Sequence, residues 1–201
     1  LSSSSAASDV YKRQTLRFIF MINRIKDYYI FNEYYDEINN DFWSSYKKKL
    51  LSLIEIRYSK NEIAYDLGCG TGGGIFFLKQ IGIKKIKGID LSEKMISKAR
   101  KKFNDVEFII GNMLDIGGWE SGDLVICNFD AINYLVEKRD WPRLFNKVSK
   151  ILKSNGMFIF DTLTTYDHKE IWPQSTRVIE KDKFVLINHG EYTKKYASMY
   201  Y

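Results

Sequence analysis

The run Asp66-Leu67-Gly68-Cys69-Gly70-Thr71-Gly72 places a carboxylate two positions ahead of three alternating glycines. Glycine puts no Cβ between backbone and ligand and turns tightly without strain. A largely apolar stretch, 75–81, follows, and the first amides of a helix there have no partner within the helix. Together they make a cradle for the polar end of a nucleotide-like cofactor. Gly68, Gly70 and Gly73 also satisfy the G-x-G-x-x-G spacing of dinucleotide sites, with an acid, Asp90, about 20 residues on. The acid before the glycines separates the two chemistries. A dinucleotide sets its pyrophosphate against the helix start, where Asp66 would repel it; a cationic group would be attracted. Polar residues recur where other apolar runs end: Asp90, Gly111-Asn112-Met113, Asn128-Phe129-Asp130 and Asp161.

The elements that must position these residues alternate. Strands are expected over 62–66, 85–90, 106–110, 123–128 and 157–161. Helices are expected over 73–81, ended by Gly82, over 93–103 with Ser92 as N-cap, and over 141–152 with Pro142 in the first turn. Asn155-Gly156 reads as a turn. Continuous apolar strands alternating with helices imply a parallel sheet covered on both faces. Right-handed crossovers put its ligand crevice at the carboxyl ends of the strands. Asp66, Asp90, Gly111, Asn128 and Asp161 all fall at such ends. Upstream, aromatic residues at helical spacing predict one helix over 22–39 and a second, capped by Asp41, to about residue 58. Downstream, 164–176 reads as a polar loop. Strands over 177–180, 183–188 and 192–201, with turns at Lys181-Asp182 and His189-Gly190, read as an antiparallel meander.

A chain of 201 residues with 45% hydrophobic and 28% charged residues suits one globular domain with a full core. It has no apolar stretch of about 20 residues to cross a membrane. Cys69 and Cys127 lack metal-ligand spacing and read as small residues of a reducing cytoplasm. Of the net charge of +6, +2 lies before Met21 and the remaining +4 is spread through lysine-rich segments at 47–49, 84–85 and 98–102, which read as solvated faces rather than a nucleic-acid patch. His168 and His189 stand alone and read as surface residues. Residues 1–20, a Ser/Ala tract and then Val10-Tyr11-Lys12-Arg13-Gln14, lack the basic start and apolar core of a signal peptide. They read as a non-native or disordered leader, with Met21 as the native start.

From about Tyr35 to Asp161 these motifs resemble the class I S-adenosylmethionine (SAM) dependent methyltransferases of small-molecule type. The resemblance implies an α/β fold, a three-layer Rossmann-like sheet of parallel order 3-2-1-4-5. It divides the chain into a helical cap (21–60), a SAM-binding core (61–163) and an antiparallel cap over the substrate (164–201), with the last sheet strands truncated. It places Asp66, Gly68, Cys69 and Gly70 at the cofactor's methionine part. Asp90 then accepts from both ribose hydroxyls, since a carboxylate offers two acceptor oxygens to two vicinal donors. Leu91 and Met95 form an apolar wall against adenine. Asn112 stands where the family usually has an acid accepting from the adenine amino group, and its uncharged bond is weaker by roughly 1 kcal/mol; the backbone of Met113 meets the ring. Asn128 lies beside the transferred methyl, and Tyr35 folds over the cofactor.

The chain lacks the Asn/Asp-Pro-Pro-Tyr and Pro-Cys signatures of nucleic-acid base methylation. The resemblance therefore implies a cytoplasmic enzyme that methylates a small-molecule acceptor, with Trp172, Phe184 and Tyr192 either lining the acceptor pocket or packing against one another. Asp130, Tyr166 and His168 are the candidate bases. The sequence leaves the oligomeric state open. Two other readings are a SAM-binding module without catalysis and a dinucleotide-binding oxidoreductase.

Overall fold

The computed structural model describes residues 29–55, 63–171, 176–181, 184–192 and 197–200. Five strands, β1 (Ile63–Leu67), β2 (Lys85–Asp90), β3 (Glu107–Ile110), β4 (Gly122–Cys127) and β5 (Leu152–Phe160), form one sheet of order β3-β2-β1-β4-β5. Every pairing in it is parallel. That is the expected Rossmann-like order, and β1, at its centre, is almost wholly buried. Alternate strand residues feed two cores. Ala64, Leu124, Ile126 and Ile159 pack with Leu50, Ile75, Leu78 and Ile96 from helices on one face. Tyr65, Leu67, Val125 and Cys127 pack with Leu144, Val148 and Ile151 on the other.

Helix α1 runs unbroken over Tyr29–Glu55, so the expected division at Asp41 is not made. The run Asn39-Asn40-Asp41 contains no Gly or Pro to stop a helix. Asn39 Nδ2 donates to the Tyr35 carbonyl one turn back (2.9 Å), so its side chain is satisfied within the helix. Residues 22–28 and 56–58 of the two expected helices lie outside the described residues. Helix α2 spans Gly73–Gln80. Helix α3 spans Glu93–Lys102, and its N-cap, Ser92, accepts from Met95 N–H through Oγ (3.3 Å). Helix α4 (Asp140–Ile151) buries a stripe at Leu144, Val148 and Ile151, spaced to share one helix face. Leu152 passes directly into β5, so Asn155-Gly156 is not a separate turn. A register shift opposite Gly122 and Leu124 absorbs the extra residues as a bulge within the strand.

Tyr35–Leu163 is one compact unit, and the residues from Thr164 on belong to a second. There the expected loop contains a π-helical turn, Asp167–Ile171, which the sequence reading missed. An antiparallel sheet of order β6-β7-β8 follows, made of Thr176–Lys181, Phe184–Tyr192 and Ala197–Tyr200. His189-Gly190 lies inside β7 rather than at a turn, because both residues pair across the ladder with Tyr200 and Met199. No described helix is long and apolar enough to cross a membrane.

Candidate cofactor-binding site

The glycine loop folds over the carboxyl end of β2. The N–H groups of Gly68 and Cys69 both donate to the Ile89 carbonyl, at 2.8 and 3.0 Å. Gly70 N–H donates to Asp90 Oδ2 and Ser92 N–H to Asp90 Oδ1, each at 2.8 Å. Gly68, Gly70 and Gly72 take φ of 72°, 52° and 92°, a region that L side chains rarely enter. A Cβ on Gly70 would meet nothing within 4 Å, whereas one on Gly74 would strike Asp66 Oδ2. Asp66 therefore lies against the first turn of α2, and only glycine there leaves it room.

Asp66 is 2% exposed, and its Oδ2 has no hydrogen-bond partner among the described residues. Burial, and then the charge of Asp90, push its pKa up to about 8. Asn128, just past the end of β4, is 4% exposed, and its Nδ2 likewise has no partner among the described residues. Both residues border one small cavity with Gly68, Cys69 and Gly70. Helix α1 and the loop after β4 supply its aromatic wall. Trp43 stacks on Phe129 at 5.7 Å and 24°, and Tyr35 lies 6.2 Å from Phe129.

Asp36 ties α1 to the glycine loop. It accepts from Thr71 Oγ1 at 2.5 Å and pairs with Lys102 at 2.5 Å, while Lys102 also donates to the Thr71 carbonyl at 3.1 Å. Beyond Asn128, Phe129 and Asp130 both adopt positive φ, 63° and 51°, a strained state for residues other than glycine. Asp130 N–H donates to Asp161 Oδ2 at 2.7 Å and holds that bend. Burial, and then the Asp161 charge, raise the Asp130 carboxyl to about 7. Burial drives the Cys69 and Cys127 thiols well above their ordinary range, so neither is a thiolate nucleophile.

Of the predicted site residues, Tyr35, Asp66, Gly68, Cys69, Gly70 and Asn128 meet at the cavity, and Asp90 reaches it through Gly70 N–H. Leu91, Met95 and Asn112 do not line it, lying just past β2, in α3 and just past β3, while Met113 Cε sits 3.5 Å from where a Cβ on the cavity-lining Gly68 would be. Leu91 is 65% exposed, so it is no part of the core. Asn112 Oδ1 already accepts from Leu114 N–H at 2.9 Å, leaving one lone pair for an outside donor. The sequence reading missed Trp43, Tyr46, Thr71 and Phe129 as site residues. For the two on α1 a signal existed: Tyr35, Asn39, Trp43 and Tyr46 are spaced to share one helix face.

A doubly covered parallel sheet with a glycine cradle and a buried acid at its carboxyl ends defines a Rossmann-like cofactor-binding domain. Residues 64–156 match the family described as a methyltransferase domain. That span carries a class I SAM-dependent methyltransferase domain. Two relatives, both with methyltransferase names, are a protein of Geobacillus sp. (strain WCH70) and YqeM of Bacillus subtilis (strain 168). The first is 33% identical over 151 residues, covering 70% of this chain and 60% of the relative. The second is 32% identical over 154 residues, covering 73% and 59%. The chain thus spans about three-fifths of the length of these relatives. Among solved structures, DesVI of Streptomyces venezuelae shares the fold at a TM-score of 0.73 and 18% identity, covering 86% of this chain and 74% of DesVI. The PH0226 protein of Pyrococcus horikoshii OT3 aligns at 0.61 and 27% identity, covering 87% and 82%.

The cofactor is S-adenosyl-L-methionine, which sets the dinucleotide reading aside. The residues present fit it. An unpartnered buried carboxylate suits the cofactor's ammonium group, and open space at Gly70 admits a ligand against bare backbone.

Proposed function

We propose that the protein transfers a methyl group from SAM to a small-molecule acceptor bearing an amine or hydroxyl. The observation that carries this reading is Asp130, a half-buried carboxylate whose pKa is raised to about 7, two residues beyond the cavity-lining Asn128. The bound cofactor supplies a methyl already activated on a sulfonium, so the protein's task is alignment and exclusion of water. Asp66 holds the ammonium end and Asp90 the ribose. Leu91, Met95, Asn112 and Met113 hold the adenine. Tyr35, Trp43 and Phe129 shut solvent out on the α1 side. Asp130 takes the proton that the acceptor gives up; a base poised near the working pH does this best. Tyr166, another candidate base, is 65% exposed.

A relative offers support for an amine. The phosphoethanolamine N-methyltransferase of Plasmodium falciparum is 30% identical over 151 residues. The ribosomal protein L11 methyltransferase of Fusobacterium nucleatum, 29% identical over 118 residues, is the counter-example with a protein acceptor. The test is release of S-adenosylhomocysteine against a panel of small amines and alcohols, with Asp130→Asn beside the wild type. Turnover with a small acceptor, lost at least tenfold in Asp130→Asn at unchanged SAM affinity, supports the reading. SAM binding with no turnover on any acceptor would favour a module without catalysis.

A further inference from the structure

Tyr46 Oη lies 2.9 Å from Asp161 Oδ1 and 3.1 Å from Asn128 Oδ1. A hydroxyl has one proton and cannot donate to both acceptors. The carboxylate is the stronger acceptor, so the proton points at Asp161. Burial, then the Asp161 charge and its hydrogen bond, raise the Tyr46 pKa well above its ordinary value, so the proton stays on the phenol. Two oxygens would then face each other at 3.1 Å with no proton between them, while Asn128 Nδ2 sits buried without a partner among the described residues. Turning the amide over removes both faults, because its two ends have the same shape. Nδ2 then donates to Tyr46 Oη, and the amide oxygen occupies the orphan position.

We infer that Asp161 and Tyr46 are positioning residues that fix the Asn128 amide with its oxygen toward the cavity, so that Asn128 and Asp66 together present two acceptors to the cofactor's ammonium group. The inference rests on the proposed seat of that ammonium at Asp66. The polarity of the relay is set at its far end. Asp130 N–H donates to Asp161 Oδ2, so that oxygen cannot be replaced by an N–H group. In Asp161→Asn the new amide must therefore turn its NH2 toward Tyr46. Tyr46 then donates to Asn128 Oδ1, and Asn128 presents Nδ2, a donor, to the ammonium.

The experiment measures calorimetric affinities of S-adenosylhomocysteine, which carries the ammonium, and of 5′-methylthioadenosine, which lacks it. Asp161→Asn should weaken S-adenosylhomocysteine at least tenfold, the scale of a hydrogen bond to a charged group, and leave 5′-methylthioadenosine within twofold. Adding Tyr46→Phe breaks the relay, so the double variant should bind S-adenosylhomocysteine several-fold more tightly than Asp161→Asn alone. A purely structural role for Tyr46 predicts additive or worse loss. Equal losses for both ligands, or a double variant no better than the single, would overturn the relay while leaving the cofactor site standing. If the double variant does not fold, the ligand selectivity of Asp161→Asn decides alone. Wild-type protein that binds the two ligands equally would overturn the Asp66 seat itself, and the relay with it.

Discussion

Asp66 is a carboxylate kept from water beside a cavity, and its raised pKa gives the proposed ammonium seat a proton signature. Near pH 7 the empty site holds Asp66 mostly protonated, since burial lifts it to about 8. An ammonium seated against it favours the ionised form, so cofactor binding should release a proton. Calorimetry at pH 7 in two buffers of different ionisation enthalpy should find a net release in wild type that is missing from Asp66→Asn. No difference between the two proteins would rule out the ammonium seat. Asp90→Ala should weaken SAM binding by roughly 1.5–3 kcal/mol, the range of hydrogen bonds to a charged group. Part of that loss arises because Gly70 N–H and Ser92 N–H both lose their acceptor; affinity within twofold of wild type would refute the ribose role. Asn112→Asp should be tolerated, because a carboxylate can still accept from Leu114 N–H and offers a charged acceptor to an adenine amino group. These residues were legible in the sequence because their types and strand-end positions state their chemistry. The second duty of Asp90, organising the loop, was not, since it depends on where Gly70 N–H points.

At the scale of elements, the glycine turn and α1 make different demands. Gly74→Ala should lower stability by about 1–3 kcal/mol, because its Cβ meets Asp66 Oδ2 and, at 2.9 Å, Ile126 Cδ1. Gly70→Val should leave the fold intact by circular dichroism yet abolish SAM binding, since the site is open but its φ of 52° and its space belong to the ligand. A folded Gly70→Val protein that binds SAM normally would take the loop out of the site. For α1 the fastening is Asp36, and Asp36→Ala should speed SAM dissociation by roughly three- to tenfold, about 1 kcal/mol, the worth of a partly exposed pair and a hydrogen bond. Stopped-flow displacement reads this directly; an unchanged off-rate would mean that α1 does not restrain the cofactor. The sequence showed an aromatic helical region here but divided it at Asp41. Asn and Asp favour caps locally, and only the helix itself shows Asn39 satisfied against Tyr35 one turn back. His189-Gly190 misled in the same way: the residues look like a turn, but a ladder partner decides.

For the whole molecule, two raised carboxylates tie stability to pH. Asp66 and Asp130 are lifted from 3.8 to about 8 and about 7. Between about pH 4 and 8 the folded chain keeps protons that the unfolded chain has released. The unfolded state binds fewer protons there, so stability falls as pH rises, by at most about 1.4 kcal/mol per pH unit for each group. Urea denaturation of the ligand-free protein should therefore show lower stability at pH 8 than at pH 5. Asp66→Asn, or saturating S-adenosylhomocysteine, should flatten the slope; a pH-independent wild type would mean that neither carboxyl is held in its neutral form.

By itself the sequence determined the alternation of strands and helices and the glycine cradle with its acid. Those follow from local signals: apolar runs bounded by breakers, and an acid two residues ahead of a glycine. The strand order and the cofactor class came with the family that those motifs resemble. Only the tertiary structure decided which groups share the cavity. Trp43 lines it, and Tyr46 reaches Asn128 beside it, because a helix that starts far from the glycine loop in the chain packs there. Asp161 controls Asn128 through a phenol 115 residues away in sequence from the carboxylate it binds. Such pairings are set by the approach of backbones across the sheet, and no window of sequence contains both partners.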